Sequence, residues 1–332
     1  MGLSISAVSK ALNDYPDMNE DTKKAVADKA LELGYSPNLI ARSLVKNSSN
    51  VIGFVVRDIS NIYGDLFKML SKRAEQLNLN LLVGDSNRNA NLELSHIKNM
   101  IDSRVKGIII SPTSDITTIK ECVNNRVPIV FVGGSITSAT ENFVSSDNRY
   151  GTELAMDYLF GLGHKNIAFI SDSIKSNSTK VKCDTYIRRM RENGLEPMVF
   201  RDDINDEDLI SAGCRQVRAL FESGKEFSAI LSSKDKVALG AMKELKDHGL
   251  HVPEDISVMG YDGLEIASMP MIELTTISHS QTASEIADNL LRILLSQAES
   301  GRGADPEHYY AKPKLIIRNS CRRIGEPFSA KK

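Results

Sequence analysis

The sequence predicts an α/β protein in which two doubly wound parallel-sheet lobes follow a small all-α head, and three observations support this prediction. After residue 50, continuous apolar runs alternate with amphipathic helical stretches, which is typical of parallel sheets covered by helices on both faces. The same alternation begins again at Tyr150, so two similar units lie in tandem. The first 46 residues carry short helical patterns and no strand pattern.

The head is predicted to contain two short helices. The stretch "SISAVSKALN" begins with Ser4, which can cap a helix, and "YPD" ends that helix. Asn19 can cap a second helix, from Glu20 to about Leu33, and Gly34 ends it. In the first helix Ile5, Val8 and Leu12 lie at helical spacing, and in the second helix the buried stripe is expected to consist of Val26, Ala30 and Leu33.

The body repeats strand and helix through both units. The strands of the first unit are "VIGFVV", "LNLLVGD", "VKGIIISP" and "VPIVFVGG", and those of the second are "NIAFISD", "PMVF", "AILSS" and "ISVMGYD". A late strand, "KPKLIIRN", joins one of the sheets. We expect an N-terminal lobe of residues 50–162 plus 280–308, and a C-terminal lobe of residues 163–279 plus 309–322. The cleft between the lobes is the predicted ligand site, because ligands of such folds bind at the carboxyl ends of the strands.

Composition and motifs exclude several classes of protein. The hydrophobic fraction of 41% and the charged fraction of 25% are those of an ordinary globular protein. The net charge of −2 gives no overall attraction to nucleic acid, so any DNA contact must be local. The four cysteines form no CxxC pair, and no catalytic motif such as GxSxG, GxxxxGK[ST] or HExxH occurs. We therefore expect free thiols in the cytoplasm, no metal, no cofactor, no catalytic residues, no membrane association and no enzymatic activity.

The motifs resemble those of the LacI/GalR family of bacterial transcriptional regulators. "SISAVSKALN", "LGYSPNLIARSL", "VIGFVVRDISN", "GLGHKNIAFI", "DKVALGAMKELKDHGLHVPEDISVMGYD" and "LTTI" occur in the family's order and spacing over essentially the whole chain. The resemblance implies a DNA-binding repressor that works as a homodimer. It also implies a helix-turn-helix head over residues 1–46, including a hinge helix at about residues 37–46. The body, residues 50–322, is implied to be periplasmic-binding-protein-like and to bind a small effector.

The resemblance also indicates that the head is truncated. Family members carry a further helix before the segment with which this sequence opens, so Met1 and Gly2 correspond to the turn after that helix. Two explanations remain open. Either the start codon is misassigned or the chain was shortened, or this is a natural homologue with a defective DNA-binding head.

Several residues of the head match the family's DNA-contacting positions. Ile5, Ser6 and Lys10 match positions that read bases, and Leu44 matches a leucine that wedges between base steps, with Ala41 allowing close approach of paired hinge helices. Residues matching phosphate contacts are Ser4, Ser9, Asn13, Tyr35 and Asn38. Taken alone, Ser4 could be only a cap and Lys10 only a solvated charge. Residues 1–46 carry six basic and six acidic side chains, a poor balance for binding phosphates.

The expected effector site departs from the family pattern. Asp262 matches an acidic residue that accepts hydrogen bonds from sugar hydroxyls, and Tyr63 is expected to stack on a sugar ring. Glycines 64, 133 and 134 stand where the family frequently has larger side chains, which implies a roomier cleft. The expected effector-binding residues are Tyr63, Ser111, Ser178, Lys182, Lys234, Asp262 and His279.

The lysines among these residues leave two interpretations open. Lys182 and Lys234 make the cleft more cationic, which favours a sugar phosphate or a sugar acid over a neutral sugar. Alternatively, the lysines pair with Asp235, Asp262 or Glu265, and no small ligand binds. In that case a protein corepressor could control the regulator. A homologue defective in DNA binding that acts by forming mixed dimers is a further alternative.

Overall fold

The computed structural model describes residues 2–12, 15–35, 49–59, 62–133, 140–171, 176–201, 208–279, 283–300 and 305–325. In the head, helix α1 spans Ile5–Leu12 and helix α2 spans Glu20–Glu32. The side chain of Asn19 caps α2 by accepting a hydrogen bond from the backbone amide of Asp21, as the sequence predicted.

The two helices of the head bury little apolar surface. Ala11 on α1 and Val26 on α2 are buried. The prediction that Leu33 is buried is wrong, because its side chain is 71% exposed. Leu33 lies after the last residue of α2, and α1 has only eight residues, so no described residue covers that end of α2.

The first sheet has the strand order β11-β5-β4-β3-β1-β2, and all of its strand pairs are parallel. Its helices cover both faces, α3 and α10 on one and α4 and α5 on the other. The strands are β1 Val51–Val56, β2 Asn80–Asp85, β3 Ile108–Ile110, β4 Ile129–Val132, β5 Phe143–Ser146 and β11 His308–Ala311. The helices are α3 Ile62–Gln76, α4 Ala90–Asp102, α5 Ile116–Val123 and α10 Ala283–Ser300.

The second sheet has the order β12-β10-β9-β8-β6-β7, in which only β12 runs antiparallel to its neighbour. Helices α6 and α7 cover one face, and α8 and α9 cover the other. The strands are β6 Ile167–Ser171, β7 Met198–Arg201, β8 Ala229–Ser232, β9 Ser257–Asp262, β10 Thr275–Ser278 and β12 Lys314–Ile316. The helices are α6 Asn148–Gly161, α7 Asn177–Glu192, α8 Leu209–Glu222 and α9 Asp235–Asp247. The predicted α/β class with two doubly wound lobes is confirmed.

Two segments lie in a different lobe from the one that the sequence suggested. Helix α6 packs its buried face against the second sheet, although residues 148–162 were expected in the N-terminal lobe. Strand β11 pairs with β5 of the first sheet, although residues 309–311 were expected in the C-terminal lobe. Strand periodicity gives no information on the sheet that a segment joins, because that choice depends on contacts distant in sequence.

Candidate functional site

The residues expected to bind an effector gather at the carboxyl ends of the strands in both sheets. In the first lobe, Ser111 directly follows β3 and Tyr63 lies in the first turn of α3. In the second lobe, Asp262 ends β9 and His279 directly follows β10. Ser178, half-buried, lies in the first turn of α7. We refer to the residues at the carboxyl edge of the first sheet as the first wall, and to those at the carboxyl edge of the second sheet as the second wall.

Lys182 is the central residue of the second wall, and its ammonium group contacts other residues of the protein. Its side chain is almost fully buried, with 4% exposure, and its Nζ donates a hydrogen bond to the carbonyl of Ser233 at 2.9 Å. The same nitrogen lies 3.7 Å from Oδ1 of Asp262 and 3.6 Å from the ring centre of Tyr261. The ammonium is therefore matched by a carboxylate of the protein. This geometry agrees with the interpretation in which Lys182 pairs with Asp262.

Two buried titratable groups lie beside this pair. Asp235 is fully buried, and its carboxylate accepts hydrogen bonds from the hydroxyl of Thr276 at 2.5 Å and from the amide of Leu264 at 2.7 Å. Burial, with the nearby charge of Asp262, raises the pKa of Asp235 to about 7. Burial, with the charge of Lys182, lowers the pKa of His279 to about 3, so this histidine is neutral at pH 7.

Lys234 occupies the position before α9 at the same edge of the second sheet. It is the N-cap residue of this helix, but its side chain makes no capping hydrogen bond. Its backbone amide donates to the hydroxyl of Ser232 at 3.4 Å, and its side chain is half-buried. Lys234 therefore lies at the carboxyl edge of the second sheet.

The first wall is built around the hydroxyl of Tyr63. Ser111 donates a hydrogen bond to this oxygen at 2.5 Å, and a guanidinium nitrogen of Arg57 donates another at 3.0 Å. Arg57 also lies over the tyrosine ring, with its Cζ 5.9 Å from the ring centre. A Cβ at Gly133 would lie 3.2 Å from the hydroxyl, so the absence of a side chain there leaves room for Tyr63.

Arg57 is a candidate site residue that the sequence reasoning missed. It follows β1 directly, in the same way that Ser111 follows β3. A charged residue immediately after a continuously apolar parallel strand lies at the carboxyl edge of the sheet, which is where ligands bind. That positional signal was present in "VIGFVVRD".

The described part of the head exposes most of the residues expected to contact DNA. Ile5 is 91% exposed, and Ser6, Ser9 and Tyr35 are also exposed. The hydroxyl of Ser4 caps α1 by accepting a hydrogen bond from the amide of Ala7 at 3.1 Å. The expected contact residues Asn13, Asn38, Ala41 and Leu44, and with them the predicted hinge helix, lie outside the described residues.

Lys10 is paired within the head. Its Nζ lies 2.5 Å from Oδ2 of Asp17, and both side chains are exposed. The hydrogen bond between them raises the pKa of Lys10 and lowers that of Asp17. Exposed pairs of this kind contribute little to stability, so Lys10 can leave Asp17 for a stronger partner.

Other kinds of site are not evident within the described ranges. No cluster there of three or more histidine, cysteine or acidic side chains could coordinate a metal ion. None of the described helices has the length and apolar character needed to cross a bilayer. The four cysteines are free thiols, as predicted.

Comparisons with known proteins relate both the sequence and the structure to regulators. Residues 156–321 match the model of the periplasmic binding protein-like domain. Catabolite control protein A of Priestia megaterium is 30% identical over 281 residues, which cover 83% of each chain. The HTH-type transcriptional regulator RegA of Clostridium saccharobutylicum is 29% identical over 328 residues, which cover 96% of each chain.

A solved structure of the Lac repressor dimer, bound to operator and the anti-inducer ONPF, superposes with a TM-score of 0.82 at 26% identity. The superposition covers 97% of this chain and 96% of that chain. The similarity therefore includes the head and both lobes.

Proposed function

Because the chain belongs to the LacI/GalR family of transcriptional regulators, we propose that its head binds an operator and that a small carbohydrate-related effector, bound between the two lobes, controls this binding. The observation that carries the proposal is the position of the expected effector residues. Tyr63 and Ser111 lie at the carboxyl edge of the first sheet, and Asp262 and His279 lie at the same edge of the second.

The chemistry of the second wall suits hydroxyl groups. Asp262 is half-buried at the end of β9, and the Nζ of Lys182 lies 3.7 Å from its Oδ1. An ionised carboxylate is a strong acceptor for hydrogen bonds from sugar hydroxyls. His279 is neutral at pH 7, so one ring nitrogen can donate and the other can accept.

Binding at both walls gives the effector a means of control. An effector that contacts both edges prefers one relative position of the lobes, and it stabilises that position by its difference in affinity for the two states. In a homodimer, such a change moves the two heads relative to each other. Since the heads must fit two half-sites, the change alters operator affinity. A regulator of bacterial DNA acts in the cytoplasm, and this mechanism requires no catalytic step.

The DNA-binding part of the proposal is tested on the Lys10 side chain. Lysine can donate hydrogen bonds to the guanine acceptors of the major groove. We expect Lys10→Ala to weaken binding to the preferred fragment roughly tenfold. Fluorescence anisotropy with labelled fragments of the region around the protein's own gene, at two salt concentrations, measures this effect.

Lys29→Ala is the matched control, because Lys29 forms an equally exposed ion pair with Glu32 at 2.6 Å on α2. It removes the same charge from the head without removing a predicted base contact, so we expect it to leave sequence preference unchanged. If the chain shows no salt-sensitive preference for any of these fragments, the proposed DNA-binding function is wrong.

A further inference from the structure

Arg57 carries a partly buried positive charge at the carboxyl end of β1. Its guanidinium contacts the phenol of Tyr63 by a hydrogen bond and by the face of the ring. These contacts use one of the five N–H donors of the guanidinium. The nearby Tyr63 raises the pKa of Arg57, so the group is charged at every physiological pH.

The ion pairs between described residues of the first lobe do not include Arg57. Two acidic residues are close enough to favour its charge, Glu93 and Asp58. Glu93 is fully buried, and its oxygens already accept hydrogen bonds from the amides of Thr113 at 2.6 Å and Ser114 at 2.8 Å. Glu93 and Asp58 favour the charge of Arg57 without direct contact, and an anionic group of a ligand in direct contact would stabilise this partly buried guanidinium further.

The other polar atoms of the first wall also present donors. The hydroxyl oxygen of Tyr63 accepts from both Arg57 and Ser111. A phenol that accepts two hydrogen bonds still carries its own proton, which can be donated to a third oxygen. The wall therefore offers guanidinium N–H groups and a phenol O–H side by side, and Ser111 holds the phenol in position.

The two walls differ in charge balance. On the second wall the carboxylate of Asp262 matches the buried ammonium of Lys182. On the first wall the guanidinium of Arg57 has no such match among the described residues. The sequence assigned the cationic character of the cleft to Lys182 and Lys234 of the second lobe, and Arg57 adds a positive charge on the opposite lobe.

We propose that Arg57 and the hydroxyl of Tyr63, held by Ser111, form an anion subsite that binds a carboxylate or phosphate group of the effector. This inference rests on the proposed function, since it names the chemical class of the effector as a sugar acid or a sugar phosphate. Arginine suits both groups, because its planar fork donates two parallel hydrogen bonds to their oxygens.

Isothermal titration of the full chain with four probes tests the subsite. The probes are a neutral hexose, the corresponding hexose 6-phosphate, the corresponding hexuronate and inorganic phosphate. We expect at least one anionic sugar to bind more tightly than the neutral hexose. The phosphate and carboxylate probes distinguish the two sources of the anion, and inorganic phosphate alone shows whether the sugar ring is needed.

Variants of Arg57 assign the effect to this side chain. We expect Arg57→Gln to weaken binding of the anionic sugar by about tenfold or more while leaving the neutral hexose unaffected. Arg57→Lys should have an intermediate effect, because a single ammonium cannot replace the bidentate fork. Arg104→Gln is the matched control: Arg104 is an exposed arginine before β3, at the opposite edge of the same sheet. We expect the variant Arg104→Gln to bind all four probes as tightly as the wild type does.

Three results would overturn the subsite. They are binding of the neutral hexose in preference to both anionic sugars, an equal loss for neutral and anionic probes in Arg57→Gln, and no binding of any anion. A different result would exclude the anion subsite and leave the proposed function intact. In that result the neutral hexose binds to the wild type and to Arg57→Gln equally well, and Asp262→Asn abolishes its binding. The operator assay tests the proposed function independently of either result.

Discussion

Asp235 shows how a single buried carboxyl group at the second wall sets the electrostatics around it. Its two oxygens are both used, one by Thr276 and one by the amide of Leu264. Its surroundings are nevertheless unfavourable to the charged form, because the side chain is buried and Asp262 is close. Asp235 therefore binds its proton much more strongly in the folded protein than in the unfolded chain.

This difference predicts a pH-dependent stability. A raised pKa in the folded state stabilises the fold fully below the usual aspartate pKa of about 3.9, and this stabilisation is lost as the pH rises through about 7. Asp235→Asn removes the titrating group and keeps its shape, and the Thr276 hydroxyl can reverse its hydrogen bond. We expect the wild type to lose stability relative to this variant by up to about 1.4 kcal/mol per pH unit between pH 5 and pH 6.5.

Urea unfolding at pH 5, 6, 7 and 8 measures the prediction for Asp235. Asp255→Asn provides the control, because Asp255 is exposed and its pKa is lowered by the hydrogen bond from the amide of His251. The stabilisation by Asp255 is lost only at acid pH. The difference in the free energy of unfolding between Asp255→Asn and the wild type should therefore be constant over this range. A constant difference for Asp235→Asn as well would show that Asp235 is ionised throughout.

At the scale of elements, α8 and α9 are brought together by two glycines. A Cβ at Gly213 would overlap the backbone carbonyl of Val237, and a Cβ at Gly240 would overlap that of Ile210. The two helices therefore cross with their backbones in contact. Because α9 begins at Asp235, directly after Lys234, this crossing also fixes part of the second wall.

Gly240→Ala should destabilise the protein. Alanine favours the helix by about 1 kcal/mol over glycine. Overpacking against a backbone atom that cannot turn away costs about 1–3 kcal/mol or more, so the net effect is a loss. Thermal unfolding measures the change as a lower Tm.

Gly161→Ala is the matched control for the helix crossing. Gly161 is the exposed last residue of α6, and no atom lies within 4 Å of a Cβ built there. We expect Gly161→Ala to leave the Tm unchanged or to raise it, because alanine has the higher helix propensity and its Cβ meets no other atom. Equal behaviour of the two variants would mean that α8 and α9 are not in backbone contact.

At the scale of the whole molecule, the lobes are linked by several short segments. The chain passes from the first sheet to α6 at Asp147, from β10 to α10 between Ser278 and Ala283, and from β11 to β12 at residues 312–313. Several connections between two sheets favour a rotation of one lobe against the other over their separation. The anion subsite lies on one lobe and Asp262 on the other, so an effector that binds both restricts this rotation.

Linkage between the two binding sites gives a prediction for the full chain. The sugar probe that binds most tightly should change operator affinity by a factor of about 5–150, and operator should change the affinity of that probe by the same factor. Anisotropy titrations with and without saturating probe measure the first factor, and calorimetry with and without operator measures the second. Unchanged operator affinity at saturating probe would contradict control by the lobes and would favour a protein corepressor.

Much of this architecture follows from local sequence patterns. Continuous apolar runs such as "VIGFVV" indicate buried parallel strands, and the residues that follow such strands lie at the carboxyl edge of the sheet. The positions of Ser111 after β3 and of Asp262 at the end of β9 agree with this rule, whereas their expected role came from the family resemblance. The Asn19 cap was equally predictable, because capping involves residues only a few positions apart.

The sequence by itself determined the two sheets, their strand edges and the family. The tertiary structure decided which charges are matched. Lys182 on α7 contacts the carbonyl of Ser233 after β8 and the carboxylate of Asp262 at the end of β9, whereas the described contacts of Arg57 are with the hydroxyl and ring of Tyr63. The physical reason is range: periodicity is a property of neighbouring residues, but the pairing of a charge depends on segments that become neighbours only when the sheet forms. The same reason placed α6 and β11 in lobes that their position in the sequence did not indicate.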